Sequence, residues 1–398
     1  MITSHAQSQR HEATDFNTCH IDPQRGFLPT QDPLEQLPSA FTRWEEIAHD
    51  LPKLLAAGML RPVLEQLPAL KTSSLRTAAQ LDRAMMLLSY CGHGYVWGEE
   101  QPARTIPAGV AAPWYAIAQR LGRPPVLSYA SYALHNWRRL DRSGPVALGN
   151  IVLRQNFLGG VDEEWFILVH VDIEAKVAPA LNALGPAQAA VAENQKHALE
   201  HHLTTIASAL ERAYATLLRM PEHCDPYIYY HRVRPYIHGW KNHPALPDGV
   251  RYEGVEAYNG IPQQFRGETG AQSSIIPSLD AALGIAHQDD PLRPYLMEMR
   301  GYMPPEHCAF IETIEQGPSI RQYVIEQQRQ YPGLRDVYNA CVHWIGLFRS
   351  THLEYARRYI HHQSQHGSDN PTNVGTGGTP FMPYLKKHRD ETSAHQIP

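Results

Sequence analysis

One stretch near the C-terminus, Asp336–Tyr359, constrains the chain most. It reads as a long helix, because Cys341, Trp344, Phe348, His352, Tyr355 and Tyr359 recur at steps of three and four and so share one face. His352 therefore sits in an apolar and aromatic stripe, where an imidazole is costly unless its nitrogens find partners. Two readings follow. It is a core histidine satisfied by a neighbour, or it is a single axial ligand to a heme lying on that face. His343 falls about 180° around the helix and leaves the stripe to His352 alone.

The 398 residues leave room for roughly two to three domains. With 43% hydrophobic and 19% charged residues, the composition is that of a folded soluble protein. The net charge of −5 and the scattered Lys and Arg exclude a nucleic-acid partner. No apolar run is long enough to cross a membrane, and the polar N-terminus has no signal-peptide core. Cys19, Cys91, Cys224, Cys308 and Cys341 are odd in number and widely spaced, so a reducing, cytoplasmic setting is expected. The 23 histidines favour a metal site, but spacing has to locate it.

The expected fold class is all-α, because helical stripes recur and the larger part of the chain has no clear alternating strand. Residues 1–40 read as an extended arm. Helical segments follow at 43–68, punctuated by Pro52 and Gly58, and at 73–92. Residues 112–138 read as two helical pieces broken at Pro124-Pro125, the second placing Tyr129 and Tyr132 one turn apart. Residues 138–163 are the best linker. This divides a small helical domain with its arm (1–150) from a large helical domain (151–398).

In the larger part, a helix over 164–184 puts Phe166 and His170 on one face, with His170 among Leu168, Val169, Val171 and Ile173. A core histidine bonded to a backbone carbonyl is the plainer reading. A packing helix spans 188–220. Its His197-Ala-Leu-Glu-His201 matches a zinc-protease pattern, yet both histidines fall opposite the apolar stripe, on a solvated face. Residues 226–240 are rich in Tyr and Arg, with Tyr230 and Arg234 four apart; Arg234 is either an exposed stacked side chain or a carboxylate clamp. Residues 241–278 are irregular, and helices are expected near 279–286, 291–302, 304–315 and 318–330. Gly375-Thr-Gly-Gly-Thr379 is neither a Walker loop nor a Rossmann turn, but an amide-rich loop that could close over an anion.

Several blocks occur in a specific order: Tyr95-Val-Trp-Gly98, Gly239 to Gly254, Ala271-Gln-Ser-Ser274, Leu279-Asp280, Leu283-Gly-Ile285, Met303-Pro-Pro305, Arg349-Ser-Thr-His352, Gly375–Thr379 and Phe381-Met382. Over roughly residues 15–390 the chain resembles the indoleamine 2,3-dioxygenase family of heme enzymes. The resemblance implies heme b held between two helical domains, with His352 as proximal iron ligand and Asp280 and Arg349 as a buried pair behind it. It places Phe166, Tyr129, Tyr132, Tyr229 and Gly270 around the distal pocket. Arg234 would hold the substrate carboxylate with Tyr230 beside it, and Thr376 and Gly377 would belong to a mobile loop over substrate and heme propionate.

His170 departs from the pattern, since the animal enzymes carry a small hydroxyl residue there. The Phe166/His170 and Tyr230/Arg234 pairs look instead like those of tryptophan 2,3-dioxygenase. Tyr132, Tyr229 and Glu268 are also more polar than the family pattern.

The implied reaction cleaves the indole C2–C3 bond of L-tryptophan, or a close derivative, with O2 to give N-formylkynurenine in tryptophan catabolism by the kynurenine pathway. His170 would then accept the indole N–H or donate to oxygen, orienting the ring rather than deprotonating it. The alternative is a heme oxygenase acting on a modified tryptophan or other aromatic amino acid, including by one-atom oxygenation. A gas sensor has no need of the Arg234 clamp or of the loop Gly375–Thr379.

Overall fold

The computed structural model describes residues 21–287, 292–364, 375–376 and 382–398. Gly377 therefore lies outside the described residues. The chain is mostly helical, as expected. Its N-terminal part is three short helices, Thr42–His49 (α1), Leu51–Ala56 (α2) and Leu60–Glu65 (α3), then Ala78–Trp97 (α4) and Ala108–Leu121 (α5). A capping box starts α4: the Thr77 hydroxyl accepts from the Gln80 N–H while the Gln80 side chain accepts from that of Thr77.

Residues 112–138 differ from the expected second helix. After α5 the chain turns at Gly122, whose φ of +64° favours glycine. Ala130–Leu134 forms a single π turn, and Trp137–Arg139 (β1) is a strand paired antiparallel with Ile151–Leu153 (β2). That pairing lies inside the stretch read as linker. Arg139 on β1 anchors it by holding Asp32 at 3.0 Å.

Two long helices follow, Val161–Ala192 (α6) and Lys196–Leu217 (α7). A bent segment comes next: Pro226–Ile228 (α8), a π turn over Tyr229–Val233, and Arg234–Ile237 (α9). Then come Ile275–Leu283 (α10), Leu292–Arg300 (α11), Pro305–Gln316 (α12), Ile320–Gln327 (α13), Pro332–Ala356 (α14), His362–Ser364 (α15) and Met382–Ala394 (α16). Among the described residues no helix is long and apolar enough to cross a membrane.

The apolar residues form two cores that meet at α6. Its Ile167, Leu168 and Val171 belong to the core built on α4 and α5. Its Val169, Ile173 and Val177 belong to the core built on α7, α10 and α14. A helix that is apolar all round is buried on all sides. Any polar side chain it carries must then find its partners inside the protein.

Candidate active site

His352 lies on α14, but not in the deep core. Tyr338, Cys341, Val342, Ile345 and Arg349 are buried, while Trp344, Phe348 and Tyr355 of the aromatic stripe are half-buried. His352 itself is exposed, but enough of the protein surrounds its imidazole that burial, then His170 and Arg349, push its pKa down to about 4. No hydrogen bond reaches either ring nitrogen from the described residues. The satisfied core histidine therefore finds no support. A neutral imidazole with a lone pair that no described residue engages suits a metal ligand.

Behind it, Arg349 donates to Asp280 at 2.6 Å and to the Thr392 hydroxyl on α16. His287 lies 3.2 Å from the same Asp280 oxygen and 2.7 Å from Glu391. Burial alone would raise the Asp280 carboxyl, but Arg349 and His287 hold it below its usual value. The pair ties α10, α14 and α16 together one turn before His352. Asp280→Ala strands the buried Arg349 guanidinium, and we expect it to lower unfolding free energy by about 3–5 kcal/mol in urea titration.

On α6, Phe166 and His170 share a face as expected, their rings 4.7 Å apart. Nδ1 of His170 lies 2.7 Å from the Phe166 carbonyl oxygen. A carbonyl only accepts, so Nδ1 carries the proton and Nε2 is left as an acceptor. Burial lowers the pKa of His170, which keeps it neutral. Phe166 also touches Tyr229 at 4.7 Å and Tyr132 at 6.3 Å, and Tyr129 lies 6.0 Å from His170.

The residue one further turn along α6, Glu174, was missed in the sequence reading. Its Oε1 accepts from the hydroxyls of Tyr129 and Ser273, both at 2.9 Å, while burial pushes its pKa up to about 7. The signal was present: Glu174 continues the step of four from Phe166 and His170. Gln272 was missed as well. It accepts from the Tyr129 N–H and donates to the Gly267 carbonyl, each at 2.9 Å, bridging segments far apart in sequence.

Arg234 opens α9 directly after the π turn that carries Tyr229 and Tyr230. Such turns re-aim side chains and recur at functional sites. Arg234 is fully buried, so the exposed reading fails, and its guanidinium lies 5.4 Å from the Tyr230 ring centre. Two glycines then bring chain segments together: a Cβ on Gly239 would lie 2.1 Å from the Gly267 nitrogen, and the reverse holds at Gly267. This places Glu268, whose N–H donates to the Ile237 carbonyl at 3.0 Å, next to the Arg234 segment.

Thr376 docks on the same seam. Its carbonyl accepts from the Gly239 N–H at 3.3 Å, and its hydroxyl donates to the Glu268 carbonyl. Gly270 is exposed, with open space where a side chain would project. The structure thus gathers Phe166, His170, Tyr129, Tyr132 and Tyr229 into one cluster, sets Arg234 beside Tyr230, and puts His352 about one turn beyond Arg349 of the Asp280–Arg349 pair. The HxxEH histidines lie apart: His197 is 90% exposed on α7.

The donor set fits a heme with one protein ligand. His352 offers the lone pair, and His170, whose field reaches it, stands in an aromatic cluster with Phe166, Tyr132 and Tyr229. The family model for indoleamine 2,3-dioxygenase matches residues 15–395. The chain is 38% identical to rat indoleamine 2,3-dioxygenase 1, over 94% of this chain and 93% of that protein. It is 34% identical to yeast indoleamine 2,3-dioxygenase, over 94% and 92%. It is also 34% identical to indoleamine 2,3-dioxygenase acdA of Aspergillus candidus, over 95% and 96%. A whole-length family match and these identities, together with a mostly helical fold, make the chain a member of the indoleamine 2,3-dioxygenase family, heme-iron-dependent dioxygenases of tryptophan-like substrates.

Proposed function

We propose that this protein converts L-tryptophan, or a close indole derivative, to the N-formylkynurenine product by inserting both atoms of O2 across the indole C2–C3 bond. His352 holds the heme iron between the two helical units, and the four free described cysteines fit a cytoplasmic setting. The heme supplies activation of O2 when bound. The protein's own residues supply position. Arg234 clamps the substrate carboxylate with two parallel charge-assisted bonds. Nε2 of His170 accepts the indole N–H and sets which ring edge faces the iron. It does not remove that proton, because an indole N–H is far too weak an acid for imidazole. The loop segment at Thr376, with Gly377 beyond it, excludes water from the site.

The observation that carries this reading is the neutral imidazole of His352, unpartnered among the described residues and within electrostatic reach of His170, whose Nε2 is an acceptor. The test is mass analysis of the product formed by the reduced, heme-loaded protein from L-tryptophan under isotopically labelled O2. Two labelled atoms are expected. One labelled atom would replace dioxygenation by hydroxylation, and no turnover of any indole would end the assignment. We further expect His170→Ala to lose roughly tenfold in kcat/KM on L-tryptophan, one neutral hydrogen bond's worth. The preference for tryptophan over its N1-methyl derivative should narrow in the same variant. An unchanged preference would remove His170 from the N–H contact.

A further inference from the structure

We propose that Glu268 is a specificity-determining residue that receives a hydroxyl or amino group carried on the benzo ring of the substrate. The inference rests on the assignment of the aromatic cluster around Phe166 and His170 as the wall of the indole site. Glu268 is 4% exposed. Among the described residues its carboxyl makes no hydrogen bond and no ion pair. Its backbone, by contrast, is pinned on both sides, by the Ile237 carbonyl and by the Thr376 hydroxyl. The side chain is therefore held in place with nothing in the protein to hold.

A buried carboxyl without partners is costly, and burial pushes its pKa up to about 8. It does not stand alone. Among the described residues the hydroxyl of Tyr132, 1% exposed, has no hydrogen-bond partner, and neither has Oε2 of the fully buried Glu174. Tyr129, Tyr132 and Tyr229 all lie within the field of Glu268. Tyr132 and Tyr229 are the aromatic neighbours of Phe166. These unpartnered groups thus collect at the wall where the ring sits, and the clamp on the amino-acid end is a separate group, Arg234. A plain indole offers this wall only C–H edges. A ring hydroxyl or amine offers both a donor and an acceptor, and a carboxyl in either protonation state can answer it.

The test uses heme-loaded wild type, Glu268→Ala and the isosteric Glu268→Gln, with L-tryptophan and its derivatives hydroxylated or aminated at each benzo position. Binding is read from the heme absorption band of the ferric protein, and kcat/KM is read from turnover. In the wild type, at least one derivative should bind roughly tenfold or more tightly than L-tryptophan, the worth of one well-placed hydrogen bond in a buried site. Glu268→Ala should abolish that advantage while keeping or improving tryptophan. Glu268→Gln should retain part of it, because an amide still donates and accepts. The inference is overturned if tryptophan equals or beats every derivative in the wild type, or if the preference survives Glu268→Ala. If no indole of any kind binds or turns over, the indole pocket itself is wrong, and this inference falls with it.

Discussion

Replacing His352 by alanine is expected to yield a folded protein that retains no heme and oxidises no indole. The fold should survive because the imidazole makes no hydrogen bond to the described residues and alanine is the best helix former at a helix position. The heme should be lost because the proposed bond from His352 would be the one covalent-like link from the protein to the iron. Absorbance of the purified protein reports heme content, and far-UV circular dichroism reports the fold. Exogenous imidazole can occupy the space left by the side chain, so partial return of the heme band on adding it is the specific sign of a lost ligand. A variant that keeps full heme content with an unchanged band would place the ligand elsewhere.

The second large effect is expected at Arg234. Arg234→Ala should lose about 10³-fold in kcat/KM on L-tryptophan, because two bonds to a charged carboxylate are removed at roughly 1.5–3 kcal/mol each. Arg234 is fully buried beside Tyr230, so water competes weakly for the guanidinium. Arg234→Lys should recover part of the loss, since an ammonium supplies charge without the planar fork. Tryptamine, which lacks the carboxylate, separates the clamp from a general disturbance. Wild type and Arg234→Ala should treat it alike. Equal efficiency of the two proteins on L-tryptophan, with heme content unchanged, would end the clamp assignment.

Both residues were readable from the chain, for different reasons. His352 stood out by period: steps of three and four put it in an aromatic stripe, and helical period survives into the structure as α14 over Pro332–Ala356. Period did not tell which side of that helix meets the core. Tyr338, Cys341, Val342, Ile345 and Arg349 take the deep face, so the stripe is split: Cys341 and Tyr359 are buried, Trp344, Phe348 and Tyr355 are half-buried, and His352 is exposed. Arg234 stood out by its aromatic company and by resemblance. Whether it was exposed or buried could not be read locally, because the π turn over Tyr229–Val233 that turns it inward changes the helical register.

The polar wall was the least legible part. Glu268, Gln272 and Ser273 come from an irregular segment, Glu174 from α6, and Tyr129 and Tyr132 from a π turn that the sequence suggested as a longer helix. Their bonds bridge pairs of residues far apart in the chain, and no local pattern encodes such pairings.

The sequence by itself determined the helical class, the order of the helices and the residue types that can bind an iron and a carboxylate. These depend on period, turn residues and side-chain chemistry, which act over a few residues. Tertiary structure decided which of those groups have partners. Among the described residues it left His352, Glu268 and Tyr132 without them and gave Arg349, Tyr129 and Gln272 theirs, because satisfaction of a buried polar atom depends on what the rest of the chain brings within about 3 Å of it.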